Sequence, residues 1–408
     1  MSVNSQSTRS TNSPELSFVL PCLNEEKTIG ACVAQCFETL KTAAIEGEVV
    51  VADNGSTDKS PQIASSFGAT VVFVDQKGYG SALRGGIASA KGKYVIIGDS
   101  DMSYDFSQMP RFLRQLRAGY DLVMGCRMPQ GGGTIEPGAM PFLHRWFGNP
   151  LLSGLGRLLF RANIVDFHCG IRAFNRERIL QLALQTPGME FASEMIVKAV
   201  LARYRIAQVP VTLQADQRGQ SPHLRTWSDG WRHLRFMLLH APRWLFFYPG
   251  LGVTCFCASI FAALLFGPIR IFGIRFDTNT LLMAALGILV GFQISLMGLF
   301  SEVFSRRIGL LPANRLTQYV LTGRLFLKGV RFGTVLFLAG LLCLWLACAK
   351  WRKTGFADLT YPDTLRLTIP AMTAMSIGIQ MIFGSFLVSV LGLPTSISDS
   401  VQTEMNDP

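Results

Sequence analysis

The stretch Tyr94-Val-Ile-Ile-Gly-Asp99-Ser-Asp101 is an apolar run closed by two acids one residue apart. Four or five continuous apolar residues read as a strand buried on both faces of a parallel sheet, and ligands of open α/β sheets gather just beyond the carboxyl ends of such strands. Asp99 and Asp101 are therefore expected at the mouth of a cleft. Residues i and i+2 at a strand end point to the same side, so both carboxylates can face one hard divalent cation and the diphosphate it carries. Two acids so spaced also suit a turn or a cap, and the surrounding sequence has to separate the two uses.

Upstream, Leu16-Ser-Phe-Val-Leu-Pro21 reads as a first strand, followed by Cys22-Leu-Asn24-Glu25-Glu26 and a helix over 28–42. Glu48-Val-Val-Val-Ala-Asp53 is a second buried strand, broken by Asn54-Gly-Ser-Thr-Asp58. Strands over 70–74 and 94–98 alternate with helices over 59–66 and 80–90. Such alternation predicts an α/β, doubly wound, mostly parallel sheet. Acids at Glu25, Asp53 and Asp99/Asp101 then all fall at carboxyl ends of strands, which favours an active site over isolated turns. The Gly-rich stretch Lys77-Gly-Tyr-Gly80-Ser-Ala-Leu-Arg-Gly-Gly86 lacks the G-x-G-x-x-G spacing and comes too late for a dinucleotide fold. Its glycines are expected to let the backbone approach a ligand, with the next helix N-terminus turned toward phosphate.

The composition changes near residue 244. Four stretches without charged residues follow, at 245–266, 280–301, 332–349 and 367–391, the third being the shortest. Each approaches the ~20 apolar residues that cross a bilayer, so four transmembrane helices are expected over 245–392. The formal charge of +11 concentrates around them: Arg306, Arg307, Arg315, Arg324, Lys328 and Arg331 lie between the second and third spans, with no acid after Glu302. By the positive-inside tendency this loop is cytoplasmic, and with four spans so is the N-terminal domain. Basic residues that flank spans face lipid headgroups, and nucleic acid is not an expected partner. Residues 1–14 form a polar lead without a signal peptide, and 393–408 a polar tail. The nine cysteines contain no Cys-x-x-Cys and are assigned neither metal nor disulfide. Trp227 to His240 alternates aromatic, basic and aliphatic residues, which suggests an amphipathic interface helix over 223–244.

In this order and spacing, Pro21-Cys-Leu-Asn-Glu-Glu, Asp53-Asn-Gly-Ser-Thr-Asp, Lys77-Gly-Tyr-Gly-Ser-Ala and Asp99-Ser-Asp101 resemble the family 2 glycosyltransferases of GT-A fold. More narrowly they are similar to the polyprenyl-phosphate sugar transferases, the dolichol-phosphate mannose synthase group. The resemblance implies a catalytic domain over 15–222 that moves a sugar, with inversion, from a UDP- or GDP-linked donor to polyprenyl phosphate. It implies Mg²⁺ or Mn²⁺ on Asp99 and Asp101, and a donor site of Pro21, Asn24, Glu25, Asp53, Lys77, Gly80 and Asp99. Gly125-Cys-Arg127 with Gly131–Gly133, then His144-Arg145 and Asn149, resembles the segment that holds the lipid phosphate. Arg127 is accordingly expected to be catalytic, and Arg127, Arg145 and Asn149 to bind the acceptor. Asp166, Arg172, Glu194, Arg218 and Ser221 match later motifs and are expected to close the donor or acceptor side. The chain departs from the group at Ser221-Pro222, where Ser-Lys is usual, and at Ser103, where Gln is.

The chemistry fits these residue types. Sugar transfer from a nucleotide diphosphate needs charge relief on the leaving group, which a carboxylate-held cation supplies as a Lewis acid. A phosphate monoester has a second pKa near ~6 and is largely dianionic at neutral pH, so no general base is obligatory. Guanidinium groups match its oxygens bidentately. Two alternatives are a processive polysaccharide synthase, whose Gln-x-x-Arg-Trp motif is missing, and a non-catalytic transport or scaffold protein for lipid-linked sugar. Against the latter, the apolar stretches carry no ionisable residue to mark a polar pathway. The identity of the sugar and a homo-oligomeric state stay open at this level.

Overall fold

The first strand, β1 (Leu16–Cys22), sets the layering: its Phe18 and Leu20 join the core on one face of a sheet and Val19 the core on the other. This is the two-residue period of a strand covered on both sides. The computed structural model describes residues 13–217, 226–308, 311, 319–320, 322–353, 355 and 361–393, in two compact units, Met1–Met237 and Leu238–Pro408. Apart from Ser13, Pro14 and Leu393, the polar lead and tail lie outside the described residues, as do Arg218 and Ser221.

In the first unit β1 is joined by β2 (Gly47–Asp53), β3 (Thr70–Phe73), β4 (Tyr94–Ile97), β5 (Leu122–Cys126), β7 (Arg172–Asn175) and β8 (Ile206–Pro210). A short parallel pair, β6 (Thr134–Ile135) and β9 (Thr212–Leu213), stands apart. The seven-stranded order is β3-β2-β1-β4-β7-β5-β8, parallel except for β7, which runs against β4 and β5. The connections α1 (Ile29–Thr42), α2 (Ser60–Ser66), α3 (Tyr79–Ser89) and α4 (Pro110–Arg117) alternate with the strands. The expected α/β fold is therefore present, with element ends within a residue or two of those read from the sequence. Chain order reverses between β1 and β4: β2 and β3 lie on one side of β1, β4 on the other. Such a switch point opens a crevice at the strands' carboxyl ends.

Beyond β5 come α5 (Asn149–Phe160), α6 (Arg176–Gln181), α7 (Phe191–Leu201) and α8 (Thr226–Leu239). The last lies inside the predicted interface helix, and the chain turns at Ala241-Pro242 rather than running straight into the first span. Trp231, Arg232 and Arg235 of α8 are exposed, whereas His233 is buried with its Nδ1 2.9 Å from Ser193 Oγ. Its ring meets that of His168 edge to face, centroids 4.7 Å apart.

In the second unit, four helices are long and apolar enough to cross a membrane: Arg243–Leu265, Thr278–Arg307, Arg324–Lys353 and Thr364–Leu391. The third, expected to be the shortest, has 30 residues. Its helix runs on through Arg324, Lys328, Arg331, Lys350, Arg352 and Lys353, whose long side chains can carry charge from an apolar stem to a headgroup layer. The second likewise continues past the apolar stretch to Glu302, Arg306 and Arg307. Glu302 is buried and accepts from Arg243 at 2.6 Å and Arg306 at 2.7 Å. Where the first two spans meet, small residues let the backbones close: a Cβ on Gly250 would stand 2.6 Å from both Gly291 O and Ser295 N. Such contact replaces the hydrophobic force that lipid removes.

Two outcomes follow. Gly250→Leu pushes the first two spans apart and lowers the melting temperature of the detergent-purified protein, whereas Val253→Leu, on an exposed position of the same helix, leaves it unchanged. The His168 imidazole is held well below its ordinary range, first by burial and then by neighbouring His233. An unfolded histidine takes up a proton below pH ~6.5 while this one resists, so its contribution is complete above that value and is lost as pH falls toward the folded pKa. The melting temperature therefore drops between about pH 7 and 5, above the carboxylate range, and His168→Gln flattens that part of the profile.

Candidate active site

The strand order brings three loops to the crevice: that after β1 (Leu23–Thr28), after β2 (Asn54–Lys59) and after β4 (Gly98–Ser103). They are stitched together by polar side chains. Ser100 Oγ donates to the Pro21 carbonyl across the switch point. Asn24, in a left-handed conformation (φ 58°), accepts from Thr57 N at 2.8 Å, and its own N–H donates to Ser56 Oγ at 3.0 Å. Glu25 is buried, its N–H donating to Ser60 Oγ at 2.8 Å. Asp53 accepts from Gly55 N at 3.0 Å and Ser56 N at 3.2 Å, an Asx turn. Asn54 ties in the loop after β3: its Nδ2 donates to Val74 O (3.0 Å) and Gln76 O (2.9 Å), its Oδ1 accepts from Gly78 N, and its carbonyl accepts from Lys77 Nζ at 2.9 Å. Pro21, Asn24, Glu25, Asp53 and Lys77 thus belong to one connected network.

On the loop after β4, Asp99 is partly exposed and accepts from Tyr79 Oη at 3.0 Å. Burial, and then the Asp99 charge, hold the Tyr79 phenol well above its ordinary range, so it remains a donor. A Cβ on Gly170 would collide with Asp99 Oδ2, so this glycine leaves the carboxylate its place. Asp101 is buried and accepts from Ser103 N at 3.0 Å, and its carbonyl accepts from Gln217 N at 3.1 Å. Among the described residues no group of three or more His, Cys, Asp or Glu is placed to hold a metal ion. Two carboxylates of hard oxygen nevertheless fit a magnesium-type ion, which takes one or two protein carboxylates and fills its shell with water and substrate phosphate.

Arg127, at the end of β5, is buried with Asp166. Its Nε and Nη2 each donate to one Asp166 oxygen at 2.8 Å, a fork-on-fork pair, and its backbone N–H adds a third bond at 3.1 Å. Burial alone would raise the Asp166 pKa, but the Arg127 charge and these bonds outweigh it and hold it low. Arg127 is therefore fixed through two nitrogens and keeps Nη1 outside the pair. Arg145 stacks on Trp146, its Cζ 5.6 Å from the ring centroid, and Asn149 Nδ2 contacts Met140 Sδ at 3.3 Å.

Three expected site residues are bonded into the scaffold. Arg172 is 1% exposed and donates to the carbonyls of Cys169 (3.0 Å), Phe167 (3.1 Å) and Ala192, so it braces the 167–169 loop from within. Glu194 is buried and accepts from Gln185 N (3.0 Å), Thr186 N (2.8 Å), Thr186 Oγ1 (2.6 Å) and Lys198 (2.8 Å). That draws the 185–188 loop inward onto Gly78 and Gly80, where any Cβ would strike Pro187 O or Thr186 O. The N–H groups of Gly80 and Ser81 then both donate to Pro187 O, at 2.8 and 3.2 Å. The start of α3, expected to face a phosphate, is capped by protein. Tyr79 is the contact that sequence reading missed. It stood inside the quoted Gly-rich motif, but only the fold shows that its hydroxyl reaches Asp99.

Comparison with known proteins identifies the family. Residues 17–181 match the Glycosyl transferase family 2 model, and 299–392 match the family 2 C-terminal transmembrane region. The low-salt glycan biosynthesis hexosyltransferase Agl6 of Haloferax volcanii is 38% identical over 93% of this chain and 89% of its own length. A dolichyl-phosphate hexose transferase of the same organism is 32% identical over 48% of this chain and 82% of that one. Among solved structures, glucosyl-3-phosphoglycerate synthase from Mycobacterium tuberculosis, with Mn²⁺, UDP-glucose and phosphoglyceric acid, is 25% identical, with a TM-score of 0.45 and coverage of 55% and 79%. With a relative aligned over nearly its whole length and an acid-lined crevice at the sheet's switch point, this chain belongs to glycosyltransferase family 2, as an integral membrane glycosyltransferase.

Proposed function

We propose that this enzyme transfers a hexose, with inversion, from a nucleotide-diphosphate sugar to polyprenyl phosphate at the cytoplasmic face of a membrane. The observation that carries the reading is the position of Asp99 and Asp101 on the loop after β4 at the β1/β4 switch point, where the loops after β1 and β2 that carry Asn24, Glu25 and Asp53 also end their strands. The likeness to a protein named dolichyl-phosphate hexose transferase supports the acceptor class. The basic residues between the second and third spans support the orientation.

The β1 and β2 loops bind the base and ribose end of the donor, and Lys77 lies toward its diphosphate. Asp99 and Asp101 would hold Mg²⁺ or Mn²⁺, which when bound relieves charge on the departing diphosphate. Arg127, aimed by Asp166, presents Nη1 to the acceptor phosphate, and Arg145 and Asn149 add to its binding. An oxygen of the phosphate dianion forms the new bond to the anomeric carbon while the bond to the diphosphate breaks. Nucleoside diphosphate and a lipid phosphodiester result, and no proton need be removed from the nucleophile.

Purified protein with a panel of UDP- and GDP-sugars, polyprenyl phosphate and Mg²⁺ or Mn²⁺ should place radiolabel in organic-extractable lipid. Labelled polymer, or none in lipid, overturns the reading. In that assay Asp101→Ala lowers transfer on the order of 10²-fold or more, and a chelator does the same to the unsubstituted enzyme until the cation is restored. Arg127→Lys keeps a charge opposite Asp166 but loses the fork. It raises KM for polyprenyl phosphate roughly tenfold with donor KM unchanged, whereas a shift in donor KM would put Arg127 on the other substrate.

A further inference from the structure

The short connection between the first two spans carries charge that neither anchoring nor sugar transfer uses. It folds as an antiparallel hairpin of β10 (Ile269–Ile271) and β11 (Ile274–Phe276), with Ile269 opposite Phe276, Arg270 opposite Arg275 and Ile271 opposite Ile274. Side chains alternate between the faces of a strand, so this register puts the four apolar residues on one face and both arginines on the other. Ile269 and Phe276 pack on Leu264, Leu281, Ala285 and Ile369, which fixes the apolar face to the spans. Arg270 and Arg275 are exposed and stand directly across from one another. Like charges so placed destabilise a strand pair unless an anion comes between them.

A third guanidinium arrives from the first turn of the fourth span. Arg366 Nη2 donates to Asp277 Oδ1 at 2.6 Å, and Arg275 Nη2 donates to Asp277 Oδ2 at 2.8 Å. One carboxylate is thus shared by two arginines, Arg270 takes no part in these bonds, and Arg366 Nε is buried without a hydrogen-bond partner. Donors in excess of acceptors, on planar forks, suit the oxygens of a phosphate. The tip of the hairpin points to where that phosphate comes from. Phe272 and Gly273 make the turn, both left-handed at φ 47° and 79°. Such a pair ordinarily holds Asn-Gly, and a bulky side chain there is strained. Phenylalanine nevertheless stands at the tip, 99% exposed, with Ile271 and Ile274 exposed behind it. We propose that Arg270, Arg275 and Arg366 form a binding site for a phosphate group, and that the apolar tip suits one carried by a lipid. The site lies at the end of the first two spans away from the Arg243, Glu302 and Arg306 cluster. It belongs to the membrane unit and does not depend on the acceptor assigned above.

Lipid titration of the full-length protein in non-ionic detergent, read by native mass spectrometry, tests it. Phosphatidylglycerol should be retained in preference to diacylglycerol with the same acyl chains, which lacks the phosphate. Arg270→Gln removes a charge without breaking either bond to Asp277, and it should weaken phosphatidylglycerol binding about tenfold; Arg366→Gln should do the same. Asp277→Asn removes the competing carboxylate and should tighten binding about threefold, the opposite of what loss of a merely structural ion pair would do. Calorimetry of the delipidated protein with inorganic phosphate separates the two sources. Phosphate binding that Arg270→Gln weakens, with no preference for phosphatidylglycerol over diacylglycerol, would assign the site to a soluble phosphate. Binding of neither ligand, affinities that Arg270→Gln and Arg366→Gln leave unchanged, or weaker binding in Asp277→Asn overturns the proposal.

Discussion

Two carboxylates at the end of a buried strand repel one another and resist leaving water, and much of the catalytic unit is arranged to keep them there. Asp99 is held by a phenol whose own burial keeps it protonated, and Asp101 by the amide of Ser103. Gly170 leaves space against Asp99 where any side chain would intrude. Two carboxylates held this close to a strand end are hard oxygen donors of the kind a magnesium-type ion takes.

Cationic groups meet the opposite constraint. Arg127 is buried, but Asp166 takes only one edge of its guanidinium, so the pair compensates the charge without consuming the whole fork. A buried pair of this kind is poor evidence of net stability, since desolvation offsets much of the attraction. Its value lies in direction: a guanidinium locked on one side offers the other at a fixed angle. Arg172, by contrast, spends its donors on three backbone carbonyls and has no edge to offer. The two arginines thus differ in how many of their nitrogens the protein engages.

That difference explains what sequence could and could not reveal. The alternation of apolar runs, the strand-end acids and the four long spans were legible, because hydrophobic period and turn chemistry are local properties. Asp53 illustrates a residue whose turn role was readable from Asn54-Gly55 and is seen in its bonds to Gly55 and Ser56. The scaffold bonds of Arg172, Glu194 and Gly80 were not legible, because their partners lie in distant loops: Glu194 fastens Thr186, which carries Pro187 onto the amides of Gly80 and Ser81. A glycine that admits a ligand and one that admits another stretch of backbone look alike in sequence. The ends of the spans were also underestimated, since charge was taken as their limit, whereas a helix can continue through arginines and even a buried glutamate once Arg243 and Arg306 flank it.

The fold brings these choices to one question, how the loops at the switch point and the Arg127–Asp166 pair are held by separate parts of one domain. The loops after β1, β2 and β3 are bound to each other through Asn24 and Asn54. The Arg127 side hangs on the 166–171 loop, which Arg172 braces from within and to which α5 is tied through Ser153 and Phe167. Orientation of the nucleophile and charge relief of the leaving group would then come from different elements of the sheet, so that each can be optimised without cost to the other.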